Sequence, residues 1–122
     1  MEIKILEQDL TVCRIESLPG VDLHGELFFL ARTDEELSLV CPTSMAPAQT
    51  MGREDEWRAM RIQGQLDFSL VGILSNIAGI LAERGISIFA VSTYNTDYVL
   101  VKSDRLNEAV DALTQNGYEI IN

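Results

Sequence analysis

Leu70, Ile73, Leu74, Ile77, Ala78 and Leu81 recur at the spacing of one helical face, and the residues after them switch to strand character. No other feature constrains the fold as much. The pattern predicts a helix from Ser69 or Leu70 to Arg84. Strands over 86–92 and 98–102 follow, joined by the turn Thr93-Tyr94-Asn95-Thr96-Asp97. Leu106, Ala109, Val110 and Leu113 then form a second helical stripe, with Ser103 or Asp104 as its cap and Gly117 as its stop. Residues 118–121 read as a last strand, and the alternation over 57–62 reads as a first one. The order is β-α-β-β-α-β, which puts two helices on one face of an antiparallel sheet.

That order is ferredoxin-like, and the expected fold class is α+β. The first half of the chain reads as a shortened, helix-poor copy. Strands over 3–7 and 10–16 flank a tight turn at Gln8-Asp9, and strands over 27–32 and 37–41 flank Thr33-Asp34-Glu35-Glu36. Set sixty positions apart, Phe29-Leu30-Ala31-Arg32-Thr33 lies over Phe89-Ala90-Val91-Ser92-Thr93. Only Phe and Thr are identical, so the repeat is one of pattern. Pro19, Gly20 and Gly25 interrupt the place of the first crossover helix, and Pro42 and Pro47 that of the second. Two modules are expected, 1–56 and 57–122, with 50–56 as linker and Trp57 as a packing anchor between them.

The ends of the longer helix are written in side chains. Ser69 suits the N-cap, Arg84 the negative C-terminal end, and Gly85 the left-handed position just beyond. Gly72 in the first turn lets a ligand approach the backbone, and Gly79 allows close packing.

Composition removes several functions. With 9 Lys and Arg against 19 Asp and Glu, the net charge is −10, which opposes any nucleic-acid partner. An RNA-binding sheet would need basic surroundings for its stacking aromatics. No apolar run approaches the ~20 residues that span a bilayer, and Met1-Glu2-Ile3-Lys4 does not open like a secretion signal. The expected compartment is the cytoplasm, with Cys13 and Cys41 as buried free thiols in apolar strands. His24 is the single histidine, in a loop, so no catalytic triad or metal set can be assembled. No metal, cofactor or catalysis is expected. Phosphate chemistry at the helix start would need a cation, and residues 64–74 contain no Arg or Lys.

Three runs carry a resemblance to a known family: Leu66-Asp67-Phe68-Ser69-Leu70-Val71-Gly72-Ile73-Leu74, Leu81-Ala82-Glu83-Arg84-Gly85-Ile86-Ser87-Ile88, and Ser92-Thr93-Tyr94-Asn95-Thr96-Asp97-Tyr98. They resemble the ACT-domain family of small-molecule regulatory modules. Within it the chain is similar to bacterial tandem-ACT proteins related to the animal cytosolic arginine sensors and to aspartokinase regulatory domains. The resemblance implies amino-acid binding between modules, with contacts from Gly72 and Ile73 at the helix start and from Thr93, Tyr94 and Asp97 in the hairpin. By analogy with lysine-sensitive aspartokinases it adds Ile88 and Phe89.

The chemistry of such a site is simple. Unpaired N–H groups of Val71, Gly72 and Ile73 suit a carboxylate, and Asp67 or Asp97 suits an ammonium or guanidinium. Phe89 or Tyr94 can pack on an aliphatic stem. Each residue also has a plainer role: Asp67 or Ser69 as a cap, Gly72 for packing, Phe89 in the core, Tyr94 and Asp97 in turn chemistry. The expected function is binding of a free amino acid or similar zwitterion by a non-catalytic regulatory homodimer with an unknown protein target. The alternative is a structural assembly module that binds nothing.

Overall fold

The computed structural model describes residues 1–63 and 72–122, in eight strands and two α-helices. In chain order they are β1 (Glu2–Ile5), β2 (Leu10–Ile15), β3 (Phe29–Arg32), β4 (Leu37–Pro42), β5 (Gly52–Ile62), α1 (Ile73–Glu83), β6 (Phe89–Ser92), β7 (Asp97–Lys102), α2 (Leu106–Gln115) and β8 (Glu119–Ile121). The α+β, ferredoxin-like expectation holds. The chain forms two compact units, Gln8–Trp57 and a second made of Met1–Glu7 with Arg58–Asn122.

In the first unit β3, β4, β2 and the start of β5 pair in that order, all antiparallel. Alternation along β2 and β4 turns Cys13, Ile15, Leu37, Leu39 and Cys41 into one cluster, with Val21, Phe28 and Ala46 against it. Both cysteines are buried free thiols. Where a full copy would carry two helices, this unit has loop and one 3-10 turn at Thr43–Met45. The fully buried Thr11 hydroxyl is satisfied by Asp55 Oδ1 at 2.6 Å and Thr43 Oγ1 at 2.9 Å.

Residues 52–56 are not a linker. They are the first half of β5, and they read as loop because five exposed, mostly charged residues show no apolar alternation. Pairing with β2 makes them a strand. The register between β2 and β5 shifts by one, from Val12 opposite Glu54 to Leu10 opposite Trp57. The extra residue is a β-bulge, and Glu56 sits in it with φ 67°.

In the second unit β6 pairs with β7, β7 with β5, β5 with β1, and β1 with β8. The sheet is mixed instead of antiparallel, because β1 lies between β5 and β8 and runs parallel to β8. The sequence division at 56 and 57 puts the first strand in the first module, whereas its residues pair inside the second unit. A strand's periodicity says which face it buries, not which neighbour it takes. Thus β1 and β2 flank a turn without pairing with each other. Both helices pack on one side of this sheet: Ile77 and Leu81 of α1 meet Leu106, Ala109 and Leu113 of α2 over Ile3, Met60, Ile62, Val99 and Val101.

Candidate functional site

α1 starts later than its apolar stripe suggests. Its first residue is Ile73, and Gly72 holds the N-cap position with φ 85°. That left-handed backbone favours glycine even though nothing would crowd an added Cβ. The Gly72 carbonyl accepts the Asn76 N–H at 2.8 Å, and among the described residues no side chain caps the end. The first N–H groups of a helix have no partner within the helix itself, and they form its positive end. Ser69, read as the cap, lies outside the described residues; the N-cap position is held by Gly72.

The other end of α1 matches its reading. Gly85 is left-handed at φ 68°, its N–H bonds the Ala82 carbonyl at 2.9 Å, and the Ile86 N–H reaches the Leu81 carbonyl at 3.0 Å. α2 departs at its start: Ser103 and Asp104 lie in a 3-10 turn, and Arg105 takes the N-cap position.

The hairpin between β6 and β7 is held by its own side chains. Thr93 donates its N–H and its hydroxyl to the Thr96 carbonyl, each at 2.9 Å. The Ser92 hydroxyl donates to Asp97 Oδ1 at 2.5 Å. Asp97 is half-buried and keeps a second oxygen as an acceptor. Tyr94 stands at the tip, 75% exposed. Thr96, which the sequence reading did not single out, is the anchor. Its hydroxyl is buried and donates to the Ile62 carbonyl at 2.6 Å, tying the hairpin to the last residue of β5. The signal in the sequence is a second threonine within a turn of polar residues.

Of the expected ligand residues, Asp67, Ser69 and Val71 lie outside the described residues. Gly72 and Ile73 are at the start of α1, and Ile73 also packs on the core of the second unit. Ile88 packs on that same core. Phe89 is half-buried and opposite Leu100, while Thr93, Tyr94 and Asp97 gather in the hairpin. Among the described residues no hydrogen bond joins Gly72 or Ile73 to that hairpin. No group of three or more His, Cys, Asp or Glu among the described residues could hold a metal ion, and no helix there is long and apolar enough to cross a membrane.

Residues 52–115 match the family model described as ACT domain, more than half of the chain. The chain belongs to the ACT-domain family. The ACT match begins with β5 and ends with α2. Mouse (Mus musculus) cytosolic arginine sensor for mTORC1 subunit 1 is 37% identical over 81 residues, which are 66% of this chain and 24% of the sensor. The chain thus matches about a quarter of that relative's length. Among solved structures, protein Atu0741 from Agobacterium tumefaciens is 31% identical, covers 98% of this chain and 91% of its own, and superimposes with a TM-score of 0.89. An aspartate kinase from Clostridium acetobutylicum shares the fold at 15% identity and a TM-score of 0.64, over 91% of this chain and 32% of the kinase.

Proposed function

We propose that this ACT-domain chain is a non-catalytic regulatory protein that binds a free amino acid or similar small zwitterion in its second unit. The observation that carries the reading is the start of α1, where a left-handed glycine opens a helix with no side-chain cap among the described residues. Bare amides at a helix start favour a carboxylate. In this reading the ligand carboxylate meets the N–H groups of Val71, Gly72 and Ile73. Its ammonium, or a guanidinium further out, meets Asp67 or Asp97, and Ser69 and Thr93 supply hydroxyls. Phe89, backed by Ile88, or Tyr94 packs on the stem. The acidic groups favour a cationic amino acid, and the relative named as an arginine sensor supports trying arginine first. The protein acts in the cytoplasm as a homodimer of two-module chains, and its ligand changes its association with itself or with a protein target.

Thermal unfolding in the presence of each of the twenty amino acids tests this. A ligand that binds only the folded chain adds about 2.7 kcal/mol at a hundred times its Kd, a rise of several degrees in Tm. One or a few amino acids should raise Tm, and Asp97→Asn should remove the rise. Light scattering on the same samples should report a dimer. No rise with any amino acid would leave the structural assembly module as the function.

A further inference from the structure

The first unit contains a cavity of its own, about 500 Å³, between the loop that leaves β2 and the segment that enters β5. That volume is ordinary for a small-molecule site. Its walls are held by backbone bonds: the Val21 N–H donates to the Leu18 carbonyl at 2.9 Å, and the Met51 N–H to the Arg14 carbonyl at 2.7 Å. Buried Ile15 forms part of the lining. The polar side chains on it are Glu16, Ser17, Gln49 and Thr50. None of the four makes a side-chain hydrogen bond or ion pair among the described residues, so all four are available to a guest. The lining is predominantly polar, and Pro19, Val21, Pro47 and Met51 belong to its smaller apolar part. Glu16 is the single charged residue of the lining, and no Lys or Arg is part of it.

We propose that this cavity binds a small organic amine: one ammonium group paired with Glu16, an apolar body against the prolines, Val21 and Met51, and no carboxylate. A charged carboxylate facing an ammonium gives a charge-assisted bond, while the net charge of −10 draws cations toward the whole surface. A ligand carboxylate would find no cation in this lining. The cavity therefore separates simple amines from amino acids, which is the opposite preference to the one proposed for the start of α1.

The test uses three molecules of matched shape on the full chain, followed by backbone amide NMR. They are 2-phenylethylammonium, 3-phenylpropanoate and phenylalanine, carrying the ammonium, the carboxylate and both. The amine should shift the amides of Glu16, Ser17, Gln49, Thr50 and Met51 saturably. The carboxylate should shift none of them, and phenylalanine should bind there at least about tenfold more weakly than the amine. Glu16→Gln, a change at an exposed side chain, should weaken the amine about tenfold or more and leave Tm unchanged. Absence of saturable shifts with the amine overturns the proposal. So does equal binding of 3-phenylpropanoate, or unchanged amine affinity in Glu16→Gln. Amino-acid binding at α1 would instead perturb amides in 72–75 and 92–97, so the two sites fail or succeed separately.

Discussion

Thr96 carries more of the hairpin than its size suggests, because its buried hydroxyl supplies the Ile62 carbonyl with a hydrogen bond at 2.6 Å. Thr96→Val keeps the shape and leaves that carbonyl without this donor, so it should cost about 1–3 kcal/mol of stability. Urea unfolding measures it, and a loss below about 0.5 kcal/mol would mean that the contact contributes little. If the hairpin also orders the ligand site, the same variant should weaken amino-acid binding more than its stability loss alone requires. The thiols make a second point at this scale. Cys41 is pushed up from its ordinary 9.0 to about 11, by burial first and then by the neighbouring Cys13, with Arg53 opposing. Cys13 is raised too, again chiefly by burial, with Arg53 opposing and Asp55 adding. A raised thiol in the folded chain means that the unfolded chain gives up its proton first. The stabilisation is therefore complete below about pH 9 and falls away as pH climbs toward 11. Cys41→Ala should flatten that alkaline decline in Tm, at the cost of a lower Tm at neutral pH.

Helix ends show how neighbouring elements complete one another. The C-terminal carbonyls of α1 are met by a side chain from the start of α2: Arg105 donates to the Arg84 carbonyl at 3.0 Å and the Gly85 carbonyl at 3.3 Å. The same guanidinium holds Glu108 Oε1 at 2.9 Å and 3.2 Å. A cation at a helix C-terminus opposes the dipole there. Arg105→Ala should cost about 1–2 kcal/mol in urea unfolding, and Arg105→Lys should recover only part, since one ammonium cannot replace a planar fork. Glu108→Gln should cost less than about 1 kcal/mol, because that pair is only part-buried. How far the elements were legible follows from the same local physics. Both helices announce themselves by apolar period, and their stops by Gly85 and Gly117, each left-handed and each closing a helix with paired backbone bonds. Both hairpins were readable because a threonine hydroxyl and acidic turn residues stand between apolar strands. The first half of β5 was not, since its strand character comes from β2 and the bulge at Glu56, and no side-chain alternation reports it. For the site, the glycine at 72 was visible as a residue type. Its true role as the cap itself depends on a φ of 85°, which a sequence does not state.

At the scale of the whole chain, the first seven residues decide the integrity of a unit whose remainder begins fifty residues later. Among the described residues β8 pairs only with β1, and β1 also covers the end of β5. Ile3 is 1% exposed and belongs to the core shared by both helices, and Leu6 is buried as well. Its N–H bonds the Ala59 carbonyl at 2.9 Å, and its carbonyl accepts Arg58 Nη2 at 2.8 Å. Removing residues 1–7 therefore deletes two core side chains, each worth about 2–5 kcal/mol, and leaves both β5 and β8 without the strand between them. A domain of this size has about 5–15 kcal/mol in total, so the loss should unfold the second unit. Residues 58–122 should lose amide exchange protection, most visibly at Val99, Leu100, Val101 and Leu113, which are fully buried in the intact chain. Ile3→Ala in the full-length chain should give a smaller, graded loss of about 2–5 kcal/mol at the same amides. Adding a peptide of residues 1–7 to the truncated chain should restore part of the protection by refilling the gap beside β8. If the truncated chain keeps native protection at those four amides, β1 is an accessory strand and the second unit stands without it.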